Sequence, residues 1–440
     1  MPPESRRPAW GAPSRCVRSW SASPLVDEVF RDEWGRVLAT LVGDFGDFDL
    51  AEEATQDAFA VAAERWPRDG MPDNPGAWLT QAAKHRAIDY LRRGTRIGRK
   101  HEEIGRELAE LEMTPPDLDS ALDDHVGDDL LRLVFVSCHP VLSTEGRVAL
   151  TLRLLGGLTT QEIARAFLAG EATIQQRIVR AKRTLSEANV AFEVPRGDEL
   201  VARIASVLEV IYLIFNEGYS ATAGDDWMRP ALCEEALRLG RILAELTPHE
   251  PEVHGLVALM EIQASRLKAR VGPTGEPILL MDQNRARWDQ LLINRGFAGL
   301  LRAEREASAK GGTLGPYALQ AAIAACHARA RVGTETDWAR IATLYQSLAI
   351  ISPSPVIELN RAVAVGMAHG AAEGLKIVDA IAADPTVKNY YVLPTVRGDL
   401  LEKLGRLDEA RAEFERAVSL TRNVREQAVL RGRAAALNKH

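Results

Sequence analysis

Thr173, Gln175, Gln176, Arg177, Arg180 and Arg183 fall within one short stretch, and these residue types suit chemistry with a nucleic acid. Arg and Gln can address a base edge with two hydrogen bonds at once, and Arg also neutralises phosphate. Ile174 and Ile178 sit between them at helical spacing, which predicts an apolar underside and a polar, basic outer face. A second basic set, Lys84, Arg86, Arg92 and Arg93, lies on a segment whose apolar stripe is expected to be Trp78, Leu79, Ala82, Ile88 and Leu91, leaving the cations for solvent or phosphate. A third set is acidic: Glu52, Glu53 and Asp57, one turn apart and opposite an apolar side formed by Ala54, Ala58 and Ala62.

The formal net charge of −7 conceals a partition. Residues 27–73 carry four basic and thirteen acidic residues, and residues 74–100 carry seven basic and one acidic. Residues 101–129 carry one basic and eleven acidic residues, and residues 145–185 carry seven basic and three acidic. Binding a polyanion requires a basic face, not a basic protein, and two such faces alternate here with acidic stretches.

The elements that must position these residues are helical throughout. The chain is rich in Ala, Leu, Arg and Glu, and β-branched runs are scarce, so an all-α fold is expected. Asn74 followed by Pro75 predicts an N-cap and first helical position. Thr159 and Glu162 have the spacing of a capping box, Ile163, Ala164, Phe167 and Leu168 are expected to face inward, and Gly170 is expected to cap the next helix. Residues 158–185 therefore read as a helix-turn-helix, against the plainer alternative of an αα-hairpin. Five segments follow: 1–23 as a disordered extension, 24–94, an acidic linker at 95–127, 128–192, and a helical domain at 195–440.

Taken together, "DLAEEATQDAFAVAAERW", "NPGAWLTQAAKHRAIDYLRR" and "LSTEGRVALTLRLLGGLTTQEIARAFLAGEATIQQRIVRAKRTL" resemble regions 2 and 4 of sigma-70-type factors of the extracytoplasmic-function group, over residues 24–190. The resemblance implies partners, core RNA polymerase and promoter DNA, and a role for each set. Glu52, Glu53, Gln56, Asp57 and Phe59 would grip the β′ clamp helices. Trp66, Asn74, Trp78, Lys84, His85, Arg86, Asp89, Arg92 and Arg93 would read and melt the −10 element. Thr173, Gln175, Gln176, Arg177, Arg180 and Arg183 would read the −35 element, with region 4 at the β flap. The linker Thr95–Val126 would thread the RNA exit path. A rival class remains: a helical-repeat scaffold whose helix-turn-helix binds operators without polymerase.

The second half shows repeat character. Gly398, Ala410, Phe414 and Ala417 have the spacing of a tetratricopeptide repeat, and a weaker copy places Ala362, Gly374, Val378 and Ile381 at the same offsets. A third keeps Ala236, Leu243 and Pro248 in register. The layout resembles a sigma-factor subgroup with a C-terminal tetratricopeptide-like domain. Within it, Asn216, Glu217 and Tyr219 form one candidate ligand or partner site, or else a helix end capped by Gly218. Asp282, Arg285 and Trp288 form another, or else an ion pair covered by Trp on one helix face.

Other functions find no support in the residues. The chain has no P-loop, GxSxG or HExxH pattern, so no enzymatic activity and no cofactor are expected. Its four cysteines are far apart, and Cys138–His139 lacks further ligands, so neither a disulfide framework nor a metal site is expected. No apolar run approaches a membrane span, and the twin arginine Arg6–Arg7 has no apolar stretch after it, so the expected location is cytoplasmic.

Overall fold

The computed structural model describes residues 24–94, 129–167, 169–220, 228–272, 278–421 and 424–437. Regular structure among them is helical, as the composition predicts. The expected extension at 1–23 and the linker Thr95–Val126 lie outside the described residues. No described helix is long and apolar enough to cross a membrane.

Two compact units divide the chain. The first runs to Leu133 and also takes in Arg153–Thr159. Its helices are α1 (Pro24–Phe45), α2 (Phe48–Asp69) and α3 (Pro75–Gly94). Asp47 caps α2 by accepting from the backbone of Asp49 and Leu50. Asn74 caps α3 through its Oδ1, 3.0 Å from the Ala77 nitrogen. The core is made where Val37, Leu38 and Leu41 of α1 meet Ala54, Ala58 and Phe59 of α2, all fully buried. On α3 the innermost residues are Leu79, Ala83 and Ala87, while Trp78, Ala82, Ile88 and Leu91 are only half-buried. The core face of α3 is thus turned from the expected stripe, because Ala83 and Ala87 let the helix axes approach where bulky residues would not.

Residues 153–159 are tied firmly into this unit. Trp34 Nε1 donates to the Leu154 carbonyl at 3.1 Å, and Arg153 forms an ion pair with Glu52. Gly157 has φ of +65°, and a Cβ there would stand 2.9 Å from the Phe30 ring, so glycine is needed for both conformation and space.

The second unit comprises Val134–Leu152 and Thr160–His440. It contains most of α4 (129–137) and of α5 (Thr144–Leu154), then α6 (Thr160–Ala166) and α7 (Glu171–Glu187). Ile163 and Ala164 of α6 and Ile174, Ile178, Ala181 and Leu185 of α7 are buried, as the helix-turn-helix reading requires. Phe167 is half-buried, and Leu168 lies outside the described residues.

The next helix, α8 (Asp198–Tyr219), supplies polar groups to α4 and α5. Arg203 donates to the Phe135 carbonyl at 2.8 Å, and Ser206 to the Cys138 carbonyl at 2.6 Å. Arg147 of α5 reaches both Ser206 and Glu209. Cys138 is buried beside the Thr151 hydroxyl, 3.3 Å away, which is a packing role.

Beyond it come α9 (Pro230–Leu246), α10 (Pro251–Ala264), α11 (Gln290–Ala309), α12 (Pro316–Arg329) and α13 (Trp338–Ile351). They are followed by α14 (Pro355–His369), α15 (Ala371–Ile381), α16 (Pro385–Lys388), α17 (Val392–Lys403), α18 (Leu407–Leu420) and α19 (Val424–Ala436). The repeat positions act as close-packing points. A Cβ at Gly374 would lie 2.6 Å from the Ala362 carbonyl, and one at Gly398 would lie 2.8 Å from the Phe414 ring. Ala362, Val378, Ala410, Phe414 and Ala417 are fully buried, and Ile381 packs against the same core. At the positions expected of a third copy, Ala236 and Leu243 are also fully buried.

Gly218 departs from expectation. It does not cap α8, which runs one residue further, to Tyr219. A Cβ on Gly218 would stand 2.7 Å from the Cys233 nitrogen, so the missing side chain serves the contact between α8 and α9.

Candidate functional site

On α7, burial of Ile174 and Ile178 leaves Thr173, Gln175, Gln176, Arg180 and Arg183 exposed and Arg177 half-buried. The six residues share one outer surface near the start and middle of the helix, the portion that enters a groove in helix-turn-helix proteins. Arg183 is held by Glu187 at 2.6 Å, a surface pair that a phosphate can displace at little cost. Gly170 caps α7 with φ of −69° and ψ of 140°, an ordinary extended conformation. A Cβ at Gly170 would meet only Thr173 Oγ1, at 3.5 Å, so the turn does not demand glycine.

In the first unit, His85, Asp89 and Arg92 of α3 are exposed and Lys84 and Arg86 are half-buried. Lys84 reaches Asp44 at 3.0 Å. Asn74 is exposed but spends its Oδ1 on the α3 cap. The side chain of Arg93 lies outside the described residues. Trp66 corrects the sequence reading: it is 6% exposed and packs edge-on against Trp78, with ring centroids 5.5 Å apart. Trp78 is the half-buried ring of this pair and Trp66 the buried one.

The acidic set divides as well. Glu53 is exposed, and Gln56 and Asp57 are half-buried. Asp57 accepts from the Tyr90 hydroxyl at 2.8 Å, and burial, with that hydrogen bond, raises the phenol above its usual range. Phe59 is fully buried, its ring 4.9 Å from Phe30 and 5.9 Å from Trp34. Glu52 is 8% exposed and paired with Arg153. Phe59 and Glu52 are interior residues, not surface contacts. An alternating pattern of Ala, Glu and Phe on a helix does not reveal which acid turns inward; that depended on Arg153, about a hundred positions away.

In the C-terminal half, Tyr219, Arg285 and Trp288 converge, and Asp282 does not join them. Asp282 is exposed, whereas Arg285 donates to the carbonyls of His327 and Ala330 and to Thr336 Oγ1. The reason is local: Arg285–Arg287 is a single 3-10 turn, so residues 282 and 285 do not share an α-helical face. Glu217 pairs with Arg229, and Asn216 is half-buried at the end of α8.

A family model of sigma-70 region 2 matches residues 33–97, and one of sigma-70 region 4 matches residues 132–185. The chain belongs to the sigma-70-type factors. Residues 203–304 of this sigma factor match a family of unknown function (DUF6596). A protein of Rhizobium meliloti (strain 1021), described as uncharacterized, is 42% identical over 398 residues, covering 90% of this chain and 92% of that relative. Similarity therefore extends through both sigma regions and the helical half.

The sigma factor also contains functional candidates that the sequence reading missed. Arg266 and Arg270 stack on Tyr219, with guanidinium carbons 5.7 and 3.6 Å from the ring centroid. Arg266 also lies 5.6 Å over Trp288, and Arg285 lies 5.1 Å from the same ring. His327 completes the group, and burial beside Arg266 and Arg285 pushes its imidazole down to about 4. The four-residue spacing of Arg266 and Arg270 was visible, but it looks like any solvated helix face until Tyr219 is brought against it.

Proposed function

We propose that this sigma factor is of the extracytoplasmic-function group and directs core RNA polymerase to promoters with −35 and −10 elements. It works by contact and not by catalysis, and polymerase places that work in the cytoplasm. The observation that carries the reading is the α7 surface, where Thr173, Gln175, Gln176, Arg177 and Arg180 stand clear of a buried Ile174–Ile178 seam. α3 supplies the second contact, with Lys84, His85, Arg86 and Arg92 along the strand and Trp78 as the stacking ring. Glu53, with Gln56 and Asp57 beside it, is the polymerase-facing part of α2. The C-terminal half is tetratricopeptide-like, supported by the close approaches at Gly374 and Gly398, and it modulates the activity of the sigma regions.

Run-off transcription with core polymerase on fragmented genomic DNA tests this. Defined transcripts that depend on the chain are expected. Arg177→Ala should lower −35-dependent initiation with core binding retained, and Arg180→Ala should reduce the slope of log affinity against log salt by about one. Sequence-specific DNA binding without polymerase association would reject the reading in favour of an operator-binding regulator.

A further inference from the structure

We infer that the C-terminal half holds an anion-binding site built from Arg266, Arg285, Trp288 and His327, which takes the phosphate or carboxylate group of a small molecule. Four elements converge to make it. Arg266 follows α10, Arg285 opens the 3-10 turn before α11 and Trp288 directly follows that turn, His327 lies near the end of α12, and Tyr219 ends α8. Arg266 lies over the rings of Tyr219 and Trp288, Arg285 lies beside Trp288 and donates to the His327 carbonyl, and the His327 ring meets Trp338 edge-on with centroids 5.2 Å apart.

What these groups lack is acceptors. Arg266 uses one terminal nitrogen on the Tyr219 hydroxyl and Gln263 Oε1, and Arg285 uses its terminal nitrogens on the carbonyls of His327 and Ala330 and on Thr336. Arg266 Nε, Arg285 Nε, Trp288 Nε1 and His327 Nδ1 are buried with no hydrogen-bond partner. The first three can only donate. Arg285 is 8% exposed and Trp288 is 3% exposed, so neither head group is rescued by water. Among the described residues no carboxylate bonds Arg266 or Arg285. The nearby acid acting on Arg285, Glu335, instead accepts from the Arg331 nitrogen at 3.2 Å.

Two guanidinium groups that repel each other, on an indole with an idle N–H, form a surplus of positive donors in a poorly hydrated place. Buried charges are tolerated when they are paired, and idle buried donors are rare in folded proteins. An oxyanion supplies both missing features: countercharge and several acceptor lone pairs. A metal ion or another cation would add to the repulsion. His327, held neutral by burial and by its two cationic neighbours, can turn either an N–H or a lone pair toward the ligand. Arg266, Tyr219 and His327 are half-buried, so this side of the cluster is the point of entry, and Arg266 must turn off Trp288 to admit the ligand.

The inference does not depend on the promoter reading, because its test uses no polymerase. The full chain is titrated by calorimetry, and its melting temperature followed, with inorganic phosphate and separately with acetate, at ionic strength matched with sodium chloride. One saturable site per chain is expected, with a melting temperature that rises with concentration, and the better of the two anions identifies the head group. Arg266→Lys keeps the charge on a half-exposed side chain but removes the fork, and should weaken binding at least tenfold, with a smaller anion-induced rise in melting temperature measured against the variant's own ligand-free value. Trp288→Phe keeps an aromatic ring without the N–H and should weaken binding as well. Behaviour in both anions indistinguishable from chloride would overturn the inference. So would binding that is unchanged in both variants.

Discussion

Glu52 and Glu53 are adjacent carboxylates with opposite fates. Glu53 faces solvent, while Glu52 is buried against Arg153. Breaking a buried ion pair by removing one partner costs about 3–5 kcal/mol, because the other charge is left desolvated. Glu52→Ala should therefore lower the melting temperature of the chain. Glu53→Ala should leave the melting temperature within error and weaken association with core polymerase, measured by fluorescence anisotropy. A loss of polymerase binding from Glu52→Ala at unchanged stability would contradict this assignment. His327 gives a second prediction at this scale. Its folded-state value of about 4 lies below the ordinary 6.5, so the unfolded chain binds the proton first and stability falls as pH drops through that window. Between pH 7.5 and pH 5 the native protein should lose about 2 kcal/mol relative to His327→Gln, read from urea midpoints at each pH.

Glycines show how much depends on what an element meets. Gly374 faces the backbone of Ala362, with a virtual Cβ at 2.6 Å, and backbone cannot rotate away. Gly374→Ala should destabilise the chain by roughly 1–3 kcal/mol, as overpacked sites do. Gly170 caps α7 in an extended conformation with free space around it. Gly170→Ser should stabilise by about 0.5 kcal/mol, since a hydroxyl can cap the helix and serine has less freedom to lose. Paired thermal melts of the two variants check both, and a cost at Gly170 as large as that at Gly374 would refute the distinction.

At the scale of the molecule, the helical half does not begin as a separable appendage. α8 supplies Arg203 to Phe135 and Ser206 to Cys138, and Glu209 meets Arg147. A chain ended at Val194 would leave those buried carbonyls and Arg147 without partners, at about 1–3 kcal/mol for each group. The fragment 128–194 should unfold at markedly lower urea than 128–220, measured by circular dichroism. Equal midpoints would show that α8 is dispensable to region 4. Substitutions within α14–α19, and not truncation at the nominal boundary, are therefore the means to separate regulation from folding.

The sequence by itself determined the all-α class, the Asn74 and Gly170 caps, the outward face of α7 and the presence of both sigma regions. Each of these is written in local spacing: helical period, capping residues and charge sorted by segment. The close-packing positions Gly398, Ala410, Phe414 and Ala417 were legible for the same reason, since small residues at fixed offsets mark where helices close. Tertiary structure decided the rest. It turned Glu52, Phe59 and Trp66 inward, rotated α3 onto Ala83 and Ala87, separated Asp282 from Arg285, and put Gly218 against Cys233 instead of at a helix end. It also brought Arg266 and Arg285 onto Trp288, put Tyr219 against Arg266, and buried His327 within reach of both cations. The physical reason is common to all of them. Periodicity states that a residue lies on a helix face, but which face is covered, and by what charge, depends on partners tens to a hundred residues away.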